Sequence, residues 1–187
     1  MCCAGRRHGK GRAVASPDVV VGGVKLIAAL AAALALAVPS AERPAAVVDR
    51  VVDGDTIRME GGVSSVRLLQ IDAPELSKGE CYGREAARVL VKLLPHGTPV
   101  ALETDGELDR IDRYGRLLRY VFRGRLNVNL WLVERGAAAP YFYRGDRGRY
   151  AAALLAAAQQ AKAAHVGLWR TCPLTELDPD HAIDARR

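Results

Sequence analysis

Between residues 47 and 71 the apolar side chains come in short β-branched runs cut by turn residues, whereas between residues 82 and 94 they recur at helical spacing. That switch of period leaves few architectures open. Residues 47–52 form a β-branched run broken by Asp53-Gly54-Asp55, residues 56–59 resume it before Gly61-Gly62, and residues 63–71 follow with Val66, Leu68 and Leu69 as apolar members. Ala86, Val89, Leu90, Leu93 and Leu94 then line one helical face that Pro95 stops. Residues 99–103 and 117–122 read as two more strands. Residues 128–135 read as a helix ended by Gly136, and residues 150–164 as an alanine-rich helix closed near Gly167. Five short strands with helices after the third and after the fifth predict an α+β domain, a small closed barrel braced by helices.

Composition sets the scale of that domain. In 187 residues, 50% hydrophobic and 26% charged, there is apolar material for one core plus tails. The 18 glycines and 9 prolines follow no short period, which excludes a collagen-like chain, and the hydrophobic content excludes a fully disordered one. The net charge of +6 is concentrated at one end: residues 1–40 carry five Lys and Arg against one Asp, the other residues 22 against 20. Lys25 precedes the 13-residue apolar run 26–38, which is short for a bilayer span and reads as a signal-peptide core. Small residues suited to a signal peptidase follow, so the mature chain is expected to begin at residues 38–41, secreted or otherwise extracytoplasmic. Left uncleaved, the run is a signal anchor. The expected organisation is a leader at 1–40, one domain at 41–172, and a polar, mobile tail at 173–187.

Cysteine usage fits export. Cys2 and Cys3 lie in the leader, and the remaining pair, Cys81 and Cys172, is either a disulfide closing a loop of about 90 residues or two buried thiols. No Cys and His spacing points to zinc.

Three polar clusters adjoin the predicted strands: Asp53-Gly54-Asp55-Thr56, Arg67 to Asp72-Ala73-Pro74-Glu75, and Asp112-Arg113-Tyr114-Gly115-Arg116. Asp55 and Asp72 sit at strand ends, where two carboxylates brought together repel unless a cation lies between them, and a hard divalent ion with oxygen ligands resolves that conflict. Asp53 could assist from outside the ligand set. Taken alone, Asp-Gly-Asp is equally an ordinary hairpin turn. Arg67 alternates with Leu68 on a half-buried strand and needs an anionic partner, either a phosphate or a structural bridge to Asp72 or Glu75. Charge segregation favours phosphate: residues 49–75 carry six acids and three arginines, residues 110–149 ten arginines and three acids. A barrel that joins them sets an acidic lip beside a basic one, as nucleic acid hydrolysis requires.

The three clusters in this order resemble the staphylococcal nuclease (thermonuclease) family. The resemblance extends to Val128-Asn129, Glu134-Arg135-Gly136, Pro140-Tyr141-Phe142-Tyr143 and Gly167-Leu168-Trp169. It implies a five-stranded OB-fold β-barrel braced by about three α-helices, and a calcium-dependent nuclease that cuts DNA and RNA to 3′-phosphate and 5′-hydroxyl ends. In this reading Asp55, Asp72 and the backbone carbonyl of Ala73 match the calcium ligands, with Asp53 beyond them. Arg67 and Arg116 match the arginines that grip the scissile phosphate, and Glu75 the general base. Arg113 and Tyr114 match contacts to a terminal phosphate, and Tyr141 and Tyr143 aromatics lining a base pocket. The family pattern has threonine where Ala73 stands, and the loop between Glu75 and Tyr82 is short. A monomer acting on nucleic acid without a protein partner is expected. A barrel of the same fold that binds nucleic acid without cutting it is the alternative.

Overall fold

The computed structural model describes residues 45–62 and 65–186; the expected leader at 1–40 lies outside the described residues, as do Val63 and Ser64. In chain order the elements are strands β1 (Ala45–Asp53), β2 (Thr56–Met59), β3 (Val66–Leu68) and β4 (Ile71–Asp72), helix α1 (Gly83–Leu93), strands β5 (Pro99–Glu103), β6 (Leu117–Arg123) and β7 (Leu126–Asn127), helix α2 (Val128–Glu134), strand β8 (Ala139–Pro140), and helices α3 (Ala151–Ala163) and α4 (Leu168–Thr171). The predicted helices at 82–94, 128–135 and 150–164 are α1, α2 and α3 to within a residue at each end.

Strand β1 pairs with β2 and, through its first residues, with β5; two register shifts, between Val48 and Arg50 and between Val51 and Asp53, bend it so that it serves both neighbours. β2 continues to β3, β5 to β6, and β3 lies parallel to β6 with Val66 opposite Leu117. The five strands therefore close on themselves as an OB-type barrel, which leaves none of them with an unpaired side. Inward-facing Val48, Ile57, Val66, Leu68 and Val121 meet Leu90 of α1, Leu132 of α2 and Leu154 of α3 in one buried cluster. Each such side chain contributes roughly 1.5–3 kcal/mol of burial energy.

Local chemistry fixes the helix ends. The Asn127 side chain accepts the Leu130 amide at 3.1 Å as the N-cap of α2. Gly136, the predicted terminator, has φ +59°, and a Cβ there would overlap the Val166 carbonyl, so both conformation and space require glycine. Buried Ala151, Ala157, Ala158 and Ala161 let α3 lie close against its neighbours.

Two expectations are corrected. The strand expected at 63–71 is broken within its described residues 65–71: the chain turns at Leu69-Gln70, where Gln70 has φ +60°, and then leaves the barrel as β4 to pair with β8. Buried polar contacts enforce the break. Asn129 donates from Nδ2 to the Leu69 carbonyl and accepts the Val121 amide, both at 2.9 Å. Gln70 Oε1 accepts from the Tyr120 hydroxyl at 2.9 Å and the Gly148 amide at 3.2 Å, while its Nε2 donates to the Asp146 carbonyl at 2.9 Å. Residues 173–186, expected as a mobile tail, instead lie against the domain. Thr175 and Ala185 are buried, Leu177 packs on the core, and the Phe142 amide donates to the Pro179 carbonyl at 2.6 Å. The polar composition of the segment hid these main-chain contacts.

Cys81 and Cys172 are disulfide-bonded across a separation of 91 residues. Replacing both by serine is expected to lower the unfolding free energy by about 2–5 kcal/mol, and an unchanged urea midpoint would show that the bridge adds nothing. Burial, and after it the charge of Asp105, holds the Tyr120 phenol above its ordinary value of 10.0. Its stabilising contribution is therefore complete below the ordinary phenol value and lost as pH rises past it. Melting temperatures from about pH 8 to pH 11 should fall less steeply in Tyr120→Phe than in the parent chain.

Candidate active site

The site is built where the β1–β2 turn, the β3–β4 segment and the hairpin before β6 meet. Gly54 makes the first approach possible. A Cβ on it would lie 2.6 Å from the Cβ of Ala73 and 3.0 Å from that of Ala86, so only glycine lets the Asp53–Asp55 turn settle between α1 and the chain after β4. Asp55 is thereby buried; its Oδ2 accepts the Ala73 amide at 2.9 Å and its Oδ1 the Thr56 hydroxyl at 2.9 Å. Asp72, also buried at the end of β4, accepts the Ile183 amide at 2.9 Å through Oδ2.

Arg67 lies between them. It faces Thr56 across the β2–β3 ladder and its guanidinium pairs with Asp55 through Nη1 and with Asp72 through Nη2, the latter at 2.5 Å. The bridge to Asp72 was one of the two structural partners read from sequence. Asp55 rather than Glu75 is the other. Burial alone would push the guanidinium down, but the two carboxylates outweigh it and hold Arg67 above its ordinary value. Burial raises the Asp72 carboxyl against the pull of Arg67, helped by the like charge of Asp55. One guanidinium leaves this pair of acids short of positive charge.

Glu75 stands at the edge of the same group. Its carboxyl is raised, first by burial and then by the neighbouring Asp53. Its own amide donates to Glu80 Oε2 at 2.8 Å, which fixes the start of the short loop. Asp53 Oδ1 accepts the Gly54 amide at 2.8 Å, the ordinary turn contact, while its charge is directed at Glu75.

The third cluster is a hairpin tip closed between Asp112 and Arg116, with Gly115 at φ +77°. Asp112 accepts the amides of Tyr114 and Arg116 at 2.9 Å each and holds Arg116 Nε at 2.6 Å. Arg116 is thus oriented through its inner nitrogen, and among the described residues its terminal nitrogens have no hydrogen-bond partner. Arg113 and Arg116 both lie over the exposed Tyr114 ring.

Arg67, Arg113, Tyr114, Arg116, Tyr141 and Tyr143 line a single cleft of about 440 Å³. The structure brings all six together. Asp55, Asp72 and Glu75 are not on its walls; Arg67 links the acidic group behind to the cleft in front. Sequence reasoning quoted Asn129 and Asp112 within motifs but assigned no role to them or to Gln70; Gln70 and Asn129 set the turn beneath the cleft, and Asp112 aims Arg116. The Tyr141 amide donates to the Gln70 carbonyl at 3.0 Å, so this turn also places the aromatic wall. No local sequence signal marks Gln70, because the groups that hold its side chain lie 50 and 78 residues away.

The donor set suits a hard cation: all oxygen, two buried carboxylates, more negative charge than Arg67 balances. Among the described residues no group of three or more His, Cys, Asp or Glu side chains is placed to hold a metal ion.

Comparison with known proteins identifies the family. The family model described as staphylococcal nuclease homologue matches residues 65–171, a span that holds Arg67, Asp72, Glu75 and Arg116 and starts after Asp55. The chain is 36% identical over 128 residues to the SPbeta prophage-derived endonuclease YokF of Bacillus subtilis (strain 168), covering 65% of this chain and 43% of that protein. It is 37% identical over 146 residues to the succinoglycan biosynthesis protein ExoI of Rhizobium meliloti (strain 1021), covering 73% and 67%. It is 34% identical over 128 residues to the thermonuclease of Staphylococcus hyicus, covering 65% and 73%. The chain thus spans less than half the length of YokF but nearly three quarters of the thermonuclease. With more than half of its residues matched and the barrel and clustered side chains in place, this chain belongs to the staphylococcal nuclease family.

Proposed function

We propose that this chain is a calcium-dependent nuclease that hydrolyses phosphodiester bonds of DNA and RNA, leaving 3′-phosphate and 5′-hydroxyl ends. The observation that carries the reading is the position of Arg67: buried between Asp55 and Asp72, yet on the wall of the cleft that Arg116 and three tyrosines line.

Hydrolysis builds negative charge on the non-bridging oxygens of the phosphate. Planar, permanently charged guanidinium groups neutralise such charge through paired hydrogen bonds better than lysine does, which is the role assigned to Arg67 and Arg116. Glu75 takes the proton of the attacking water as the new oxygen–phosphorus bond forms. The bond from phosphorus to the 5′ oxygen breaks, that oxygen leaves with the electron pair and picks up a proton, and phosphate stays on the 3′ side. Asp55, Asp72 and the Ala73 carbonyl would hold calcium, with Asp53 outside the ligand set; a bound divalent ion would supply positive charge against the phosphate and favour the ionised form of Glu75. Arg113 and Tyr114 receive a neighbouring phosphate. Tyr141 and Tyr143 offer faces on which bases stack without being read, which is why both DNA and RNA are accepted.

The Cys81–Cys172 disulfide supports an extracytoplasmic location, since such bridges persist where the surroundings are oxidising.

Release of acid-soluble nucleotides should require calcium and stop on chelation, with magnesium as the parallel arm. Glu75→Ser and Arg116→Gly should each cut turnover by roughly 10²–10⁴ while the thermal midpoint barely moves. Near-full activity in either variant would falsify its assigned role. Nucleic acid bound by the parent chain but never cut would leave the non-catalytic barrel as the correct reading.

A further inference from the structure

The family match stops at residue 171, and the segment beyond it reaches back to the acidic group. Both ends of that segment return to one residue. Cys172 is bonded to Cys81, and the Cys81 amide donates to the Ala185 carbonyl at 3.3 Å. Between these anchors Thr175 accepts Lys162 Nζ through its carbonyl at 3.3 Å and the Arg186 amide through Oγ1 at 3.2 Å. Pro179 accepts the Phe142 amide, and Arg147 pairs with Asp180 at 3.1 Å. Ile183 and Ala185 join the apolar cluster of Cys81, Ala139, Leu168, Trp169 and Cys172. At the centre of this seam the Ile183 amide donates to Asp72 Oδ2 at 2.9 Å, while Asp72 Oδ1 faces Arg67.

We infer that residues 173–186 form a fixed strap whose Ile183 amide holds the Asp72 carboxylate in the orientation that cation binding needs. The inference rests on the proposed role of Asp72 as a calcium ligand. A carboxylate at the end of a two-residue strand has two soft torsions, and an amide on its far oxygen removes the freedom to rotate away from Asp55. Groups that orient a ligand in this way change metal affinity by about 10- to 100-fold when lost. Ile183 is therefore a positioning residue acting through its main chain, and the disulfide fixes the root of the strap near the same spot.

The test titrates calcium into the nucleotide-free chain by calorimetry. Ile183→Pro removes the amide hydrogen, and Ile183→Ala keeps it while trimming the apolar contact. Calcium should bind about tenfold more weakly to Ile183→Pro, and to a chain ending at Asp180, than to the parent or to Ile183→Ala. Parent-like affinity in Ile183→Pro and the shortened chain overturns the strap alone; a parent chain that binds no calcium overturns the ligand reading and the strap together. A weakening as large in Ile183→Ala would assign the effect to packing and also overturn the inference. Hydrogen exchange on the unaltered chain guards against variants that fail to fold: the Ile183 amide should exchange far more slowly than that of Ala182, and equal rates would end the case.

Discussion

The guanidinium of Arg67, buried between the carboxylates of Asp55 and Asp72, is the interaction around which the rest of the site is arranged. Buried ion pairs recover little net stability, because desolvation offsets most of their attraction, so this triad serves to fix positions more than to hold the barrel together. It couples three separate pieces of chain: the β1–β2 turn, strand β3 and strand β4. Removing Arg67 strands two uncompensated carboxylates in the interior. The arrangement also carries a built-in imbalance, two acids on one base with Asp53 and Glu75 close behind, and this imbalance makes the group receptive to further positive charge.

The cleft in front of the triad is assembled from parts with little apolar burial of their own. Tyr114 and Tyr143 are more than half exposed, and Arg116 depends on Asp112 for its direction. These residues are held by hydrogen bonds in tight turns rather than by packing. The turn at Leu69-Gln70 serves both sides. It ends the strand that bears Arg67, and through the Gln70 side chain and carbonyl it tethers the segment that carries Tyr141 and Tyr143. Acidic and aromatic surfaces therefore share one support, so a change in that turn would move both.

Much of the fold was legible because it follows from periodicity. The helical face of Ala86, Leu90 and Leu94, the β-branched run into Asp53, and the terminating Gly136 are local signals that tertiary structure left intact. The break at Gln70 was not legible. A non-glycine residue at positive φ inside an apolar run leaves no mark in the sequence, and its cause is buried bonds to Tyr120 and Gly148, 50 and 78 residues away. The C-terminal segment was misread for a related reason: its contacts run through main-chain groups of Ile183, Pro179 and Ala185, to which side-chain polarity is blind.

The sequence by itself determined the element types, the closed-barrel architecture and the inventory of charged and aromatic side chains, since these depend on spacing and residue chemistry within short windows. Tertiary structure alone decided which carboxylates face Arg67, that Asp55 and Asp72 stand behind the cleft instead of on its wall, and that the chain end returns to Asp72. Each of these is a contact between residues brought together by barrel closure, and the directions of side chains and amides at such junctions are set by burial and hydrogen bonding across the fold, not by neighbours along the chain.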